Sequence, residues 1–125
     1  MNVKRELQRL YDAIPGFQCK PGCQDCCGPV PFSRTEWNRI ADKRTTTARK
    51  TPSLTCPYAV DGKCECYEHR PFVCRLFGTV TTEGSLMRCP HGCHPENPFT
   101  EEEADRLMGR YIRLQMIEER KAVQA

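Results

Sequence analysis

The sequence predicts a small, α-rich α+β domain, irregular and stabilised by metal, with amphipathic terminal helices and a short β-hairpin. Three observations predict it. Helical amphipathic patterns sit at both ends, ten cysteines crowd the middle, and ten prolines and seven of the eight glycines interrupt what lies between. The 125 residues suit a single domain, 1–125. Apolar residues are 38% of the chain, a thin supply for a core, so cross-links are expected to support it. A net charge of +3 is too mild to imply nucleic acid or a membrane by itself.

The first element is a helix over residues 3–14, within a flanking segment 1–14. Val3, Leu7, Leu10 and Ile14 form one stripe, and Arg5, Glu6 and Arg9 lie off it. Pro15-Gly16 ends it. Ser33-Arg34-Thr35-Glu36 is a capping box that opens a second, short helix. Trp37 and Ile40 give its buried side, and the β-branched run Thr45-Thr46-Thr47 ends it. Residues 44–55 read as a polar, basic loop. Asp61-Gly62 predicts a tight turn that returns Cys56 towards Cys64. Pro71 starts or interrupts a helical turn carrying Cys74. Residues 76–81 predict a strand, Glu83-Gly84 a turn, and residues 85–88 a returning strand, which together make the hairpin. Residues 89–98 predict a compact loop. Thr100 caps the last helix, 100–121, with Glu103 closing a second capping box. Ala104, Leu107, Met108, Tyr111, Ile112 and Gln115 trace its inner face.

The cysteines begin with Cys19-Lys20-Pro21-Gly22-Cys23-Gln24-Asp25-Cys26-Cys27. The N-terminus has no apolar signal region and no segment is long enough to cross a bilayer, so a reducing cytoplasm is expected. Thiols there serve metals or chemistry in preference to disulfides. Geometry agrees for Cys26 and Cys27, whose Cα atoms lie ~3.8 Å apart against the roughly 4.4–6.8 Å of ordinary disulfides. Thiolates two to four residues apart converge on one ion when a turn folds the chain back.

Cys19, Cys23, Cys26 and Cys27 are followed by Cys56-Pro57, Gly62-Lys63-Cys64, Tyr67, Arg70-Pro71 and Cys74-Arg75. Over roughly residues 19–93 this pattern resembles the YkgJ-type cysteine-cluster family, also called the CxxCxxCC domain, regarded as a zinc- or iron-chelating domain. Related cysteine-cluster segments are similar to part of the flagellin lysine methylases. The resemblance implies cysteine-bound metal within a core spanning 19–93. Two positions depart from the family pattern. The first gap is three residues where the family has two, and Cys66 stands where an aliphatic residue is usual. Cys66 is therefore read as a buried core thiol, not a ligand.

The expected metal ligands are Cys19, Cys23, Cys26, Cys27, Cys56, Cys64, Cys74, Cys89 and Cys93. Eight of them, using either Cys89 or Cys93, would fill two neighbouring four-thiolate zinc sites. The alternative is a 4Fe–4S cluster. Cys19, Cys23 and Cys26 have cluster-like spacing, and Cys56-Pro57 and Cys89-Pro90 resemble the Cys-Pro ending of ferredoxin ligand runs. Zinc is favoured, because no redox or substrate machinery is visible.

With so many thiols present, His69, His91 and His94 read as surface histidines. Arg70 and Arg75 either offset thiolate charge or face solvent. The basic run Arg39, Lys43, Arg44, Arg49 and Lys50 has no interleaved aromatics in the 44–55 loop, so it reads as a solvated loop, and nucleic-acid binding is not expected. No nucleophile elbow, zincin helix or glycine-rich phosphate loop is present, so no catalytic residue is expected. The chain is too short for the barrel of a radical-SAM enzyme. The expected function is a metal-binding module with a structural or partner-binding role, the protein partner meeting the last helix at Met108, Ile112, Met116 and Ile117. The alternative is an iron–sulfur protein with a redox role or a part in a protein-modification enzyme.

Overall fold

The first helix, α1, spans Val3–Ala13. It belongs to a computed structural model that describes residues 2–17, 32–40, 59–60, 63–64 and 69–124. Asn2 caps α1, its side-chain oxygen accepting from the Arg5 amide at 3.1 Å. Leu7 and Leu10 are buried, with Val3, Tyr11 and Ile14 packed at the margin. The apolar stripe read from the sequence is therefore the face that packs. The Ile14 amide donates to the Tyr11 carbonyl at 3.1 Å, and the extended backbone of Ile14 closes the helix ahead of Pro15.

Helix α2 spans Arg34–Asn38, and its capping box is complete. The Ser33 hydroxyl accepts from the Glu36 amide at 3.2 Å, and Glu36 Oε1 accepts from the Ser33 amide at 3.0 Å. The helix ends at Asn38, well before the threonine run, which lies outside the described residues. Ile40 is buried as expected, and Trp37 is half-buried, edge-on to Phe32 with ring centroids 6.0 Å apart.

Two-residue strands β1 (Ala59–Val60) and β2 (Lys63–Cys64) pair antiparallel, Ala59 opposite Cys64 and Val60 opposite Lys63. The pairing flanks positions 61–62, where the sequence predicts a tight turn. Helix α3 spans Phe72–Leu76 behind Pro71 and carries Cys74. It buries Phe72 and Leu76.

The hairpin predicted over 76–88 does not form. Leu76 is still helical, and Gly78 leaves the helix at φ +87°, a backbone region open to glycine. Thr79 turns its hydroxyl back onto the Leu76 carbonyl at 2.6 Å, as short hydroxyl side chains do at helix ends. One contact of the expected pairing survives, the Gly78 amide to the Met87 carbonyl at 2.7 Å. Beyond it, Val80 makes a lone parallel bridge to Phe99, and residues 82–88 coil through successive turns closed by Ser85 and Arg88. The Ser85 hydroxyl takes the Met87 amide at 3.1 Å, a donor a ladder would have needed.

Helix α4, Glu101–Gln124, is 24 residues long and begins at the expected capping box. Thr100 Oγ1 accepts from the Glu103 amide at 3.1 Å, and Glu103 accepts from the Thr100 amide at 3.0 Å. Hydrogen bonding from Thr100, its amide first and its side chain second, holds the Glu103 carboxyl below its usual range. Ala104, Leu107, Tyr111, Leu114 and Glu118 are buried. Their 3-4-3-4 spacing is a narrow a/d seam. The sequence reading placed the seam about one position off at its far end. Ile112 is 49% exposed, and Leu114 and Glu118 take the inner positions instead.

One cluster unites these elements: Leu7 and Leu10 of α1, Phe72 and Leu76 of α3, Val80, and Ala104, Leu107, Tyr111 and Leu114 of α4. Phe72 stacks on Tyr111 with centroids 4.5 Å apart and planes 17° from parallel. The architecture is thus a small α-rich domain with four helices among the described residues.

Candidate functional site

Of the expected ligands, Cys19, Cys23, Cys26, Cys27 and Cys56 lie outside the described residues, as does Cys66. Cys64 ends β2, with its backbone paired to Ala59. Cys74 sits half-buried on α3, Cys89 is buried, and Cys93 is half-buried one turn further on; none of the three is in a disulfide. The compact loop expected at 89–98 is present in its first turn, where the Gly92 amide donates to the Cys89 carbonyl at 3.0 Å. Among the described residues no three His, Cys, Asp or Glu side chains come together as a metal site requires. The thiol donors themselves suit zinc or an iron–sulfur cluster.

His69, His91 and His94 are exposed. His94 Nδ1 lies 2.7 Å from the Pro95 carbonyl, so that nitrogen carries the proton. Arg75 is half-buried. Its guanidinium lies 4.0 Å from the centroid of the Tyr11 ring, and its Nε donates to the Arg70 carbonyl at 2.8 Å. Arg39, His69 and Arg75 line an open cavity of about 410 Å³ together with Gln8 and Tyr11.

The sequence reading missed the polar centre of the fold. Glu36 is 1% exposed, yet its carboxylate is fully engaged. Oε2 accepts from the Tyr11 hydroxyl at 2.5 Å and the Phe72 amide at 2.5 Å. Oε1 accepts from the Ser33 amide and from the Tyr111 hydroxyl. Four donors from four parts of the chain meet one carboxylate, the condition under which a buried charge is tolerated. Burial first, and the Glu36 charge second, push both phenols well above their usual range. A capping-box glutamate is normally exposed, so only the tyrosines at positions 11 and 111 could have signalled this use of it.

A second carboxylate ties α2 to α4. Glu118 Oε2 accepts from both the amide and the hydroxyl of Thr35, at 2.9 and 2.5 Å. Beside it, Arg34 grips Glu119 with two bonds of 2.7 and 3.1 Å. This exposed pair raises Arg34 and lowers Glu119 from their ordinary values, the mutual hydrogen bond being the main cause. Glu118 Oε1 and Glu101 Oε2 are buried without a hydrogen-bond partner.

No described helix is long and apolar enough to cross a membrane. No family model, curated protein or solved structure matches the chain.

Proposed function

We propose that the chain is a cysteine-rich metal-binding module in which metal has a structural role. The observation that carries this reading is the spacing of nine cysteines, from Cys19 to Cys93, with Cys26 and Cys27 adjacent. Zinc is the metal of this proposal, held by thiolates in closed four-coordinate sites. The YkgJ-type resemblance belongs to the same proposal. Among the described residues, α1, α3 and α4 bury one modest apolar cluster. Ile112 and Met116 are exposed on α4 and form the face we assign to a protein partner.

Anaerobic purification, visible spectroscopy and elemental analysis test the metal. Colourless protein with about two zinc ions per chain supports the proposal. Brown protein containing iron and acid-labile sulfide replaces it with the iron–sulfur reading, which the Cys19, Cys23 and Cys26 spacing favours.

A further inference from the structure

We propose that the concavity between α2 and the 115–119 stretch of α4 binds a primary alkylammonium group. The starting point is Glu118. The residue is 6% exposed, its Oε2 is occupied twice by Thr35, and its Oε1 has no hydrogen-bond partner. A buried carboxylate oxygen left without a donor is costly, and a ligand that supplies one gains a charge-assisted bond.

Glu118 lines a cavity of about 230 Å³ with Phe32, Trp37, Gln115, Arg34 and Glu119. That is smaller than the roughly 300–1,000 Å³ of pockets for drug-sized ligands, and suits a group the size of one side chain. Among the described residues the charged lining is two carboxylates against one guanidinium, an excess of one negative charge. Arg34 is committed to Glu119 through both bonds of its fork and leaves Glu118 Oε1 unserved. Phe32 and Trp37 add aromatic surface, which attracts cations and packs against alkyl carbons.

These features choose among cations. The unserved oxygen needs an N–H, which a quaternary ammonium lacks. A hard metal ion wants six or more oxygens, not an aromatic wall. A primary ammonium on a short alkyl chain satisfies both requirements. It is either a free amine or the end of a lysine side chain.

Trp37 is the single tryptophan of the chain, so its fluorescence reports on this cavity directly. The whole protein, metal retained, is titrated at constant ionic strength with butylammonium chloride, and separately with a short lysine-containing peptide. Saturable change with butylammonium is expected, and none with sodium or tetramethylammonium. A peptide that binds much more tightly than butylammonium identifies a lysine side chain as the source; equal affinity identifies a free amine. Glu118→Gln should weaken binding by about tenfold or more, the worth of one charge-assisted bond. Arg34→Gln removes the competing cation from an exposed position, so it should tighten binding severalfold, and it decides the matter if Glu118→Gln folds poorly. Equal responses to tetramethylammonium, or weaker binding in Arg34→Gln, overturn the proposal.

Discussion

Tyr11 donates its hydroxyl hydrogen to Glu36 at 2.5 Å, which fastens α1 to α2 through a carboxylate with almost no contact with water. Tyr111 reaches the same carboxylate from α4, and the Phe72 amide reaches it from the start of α3. One side chain thus orients all four described helices. Apolar packing is non-directional and leaves helices free to slide; a carboxylate with four fixed donors does not.

Glu36→Ala should therefore be among the most damaging substitutions. It strands two hydroxyls and two amides, and each buried donor left unpaired costs ~1–3 kcal/mol. A loss of about 4 kcal/mol or more is expected. Glu36→Gln keeps one acceptor oxygen but turns an amide N–H₂ towards donors, and should cost roughly half as much. Urea unfolding of the two variants checks the order. Equal and small losses would show that the carboxylate is not the organising group.

Alkaline pH should unfold the protein through the same centre. Tyr11 and Tyr111 are raised in the fold above the ordinary tyrosine value of 10.0, by burial first and by Glu36 next. The unfolded chain therefore releases those protons at lower pH than the folded one. The stability this linkage supplies is fully present below about pH 10 and is lost as pH rises beyond it. Tyr111→Phe should be less stable at neutral pH, having lost a bond to Glu36, yet show a shallower decline above pH 10. Unfolding followed at several pH values, with phenolate absorbance as the second signal, measures both effects. Parallel declines in the two proteins would remove Tyr111 from the account.

Gly78 and Gly84 make a controlled comparison. Both have positive φ, +87° and +85°, so alanine at either is strained. At Gly84 a Cβ meets nothing within 4 Å, whereas at Gly78 it would lie 2.3 Å from the tip of the Phe17 ring. Gly84→Ala should cost about 1 kcal/mol and Gly78→Ala about 2–3 kcal/mol, the difference being displaced Phe17. Thermal melts of both variants and of Gly78→Ala combined with Phe17→Leu test this. Rescue in the double variant is expected, and its absence would assign the damage at position 78 to the backbone alone.

The parts of this fold that were legible in the sequence are those fixed locally. Ser33 with Glu36 and Thr100 with Glu103 mark helix starts because their bonds span only three residues. The stripe of Leu7 and Leu10 is equally local. What escaped depends on partners far along the chain. Glu36 meets Tyr111 across 75 residues, and Glu118 meets Thr35 across 83. Nothing near Glu118 distinguishes it from the other glutamates of its helix. The strand read at 76–81 failed for a related reason: β-branched residues favour extended backbone, but Val80 and Thr79 found Phe99 instead of residues 85–88. The metal site expected from cysteine spacing rests on nine cysteines, five of which fall outside the described residues.

Cys64 and Cys66 provide the sharpest test of that spacing. The proposed module uses Cys64 as a ligand and leaves Cys66 as a small buried thiol. Serine at position 64 keeps the size but gives a poor soft donor, so Cys64→Ser should lower the metal content. Because structural metal binding contributes directly to folding free energy, the same variant should melt at lower temperature and resist chelators less. Cys66→Val exchanges one small apolar side chain for another and should leave both metal and melting nearly unchanged. Elemental analysis and thermal melts of the two variants, purified without oxygen, give the comparison. The parent protein stripped by a chelator under reducing conditions supplies the reference, and should lose its cooperative transition. If the stripped parent melts as before, metal has no structural role. If the two variants lose metal equally, Cys66 is a ligand and the pair acts as a unit.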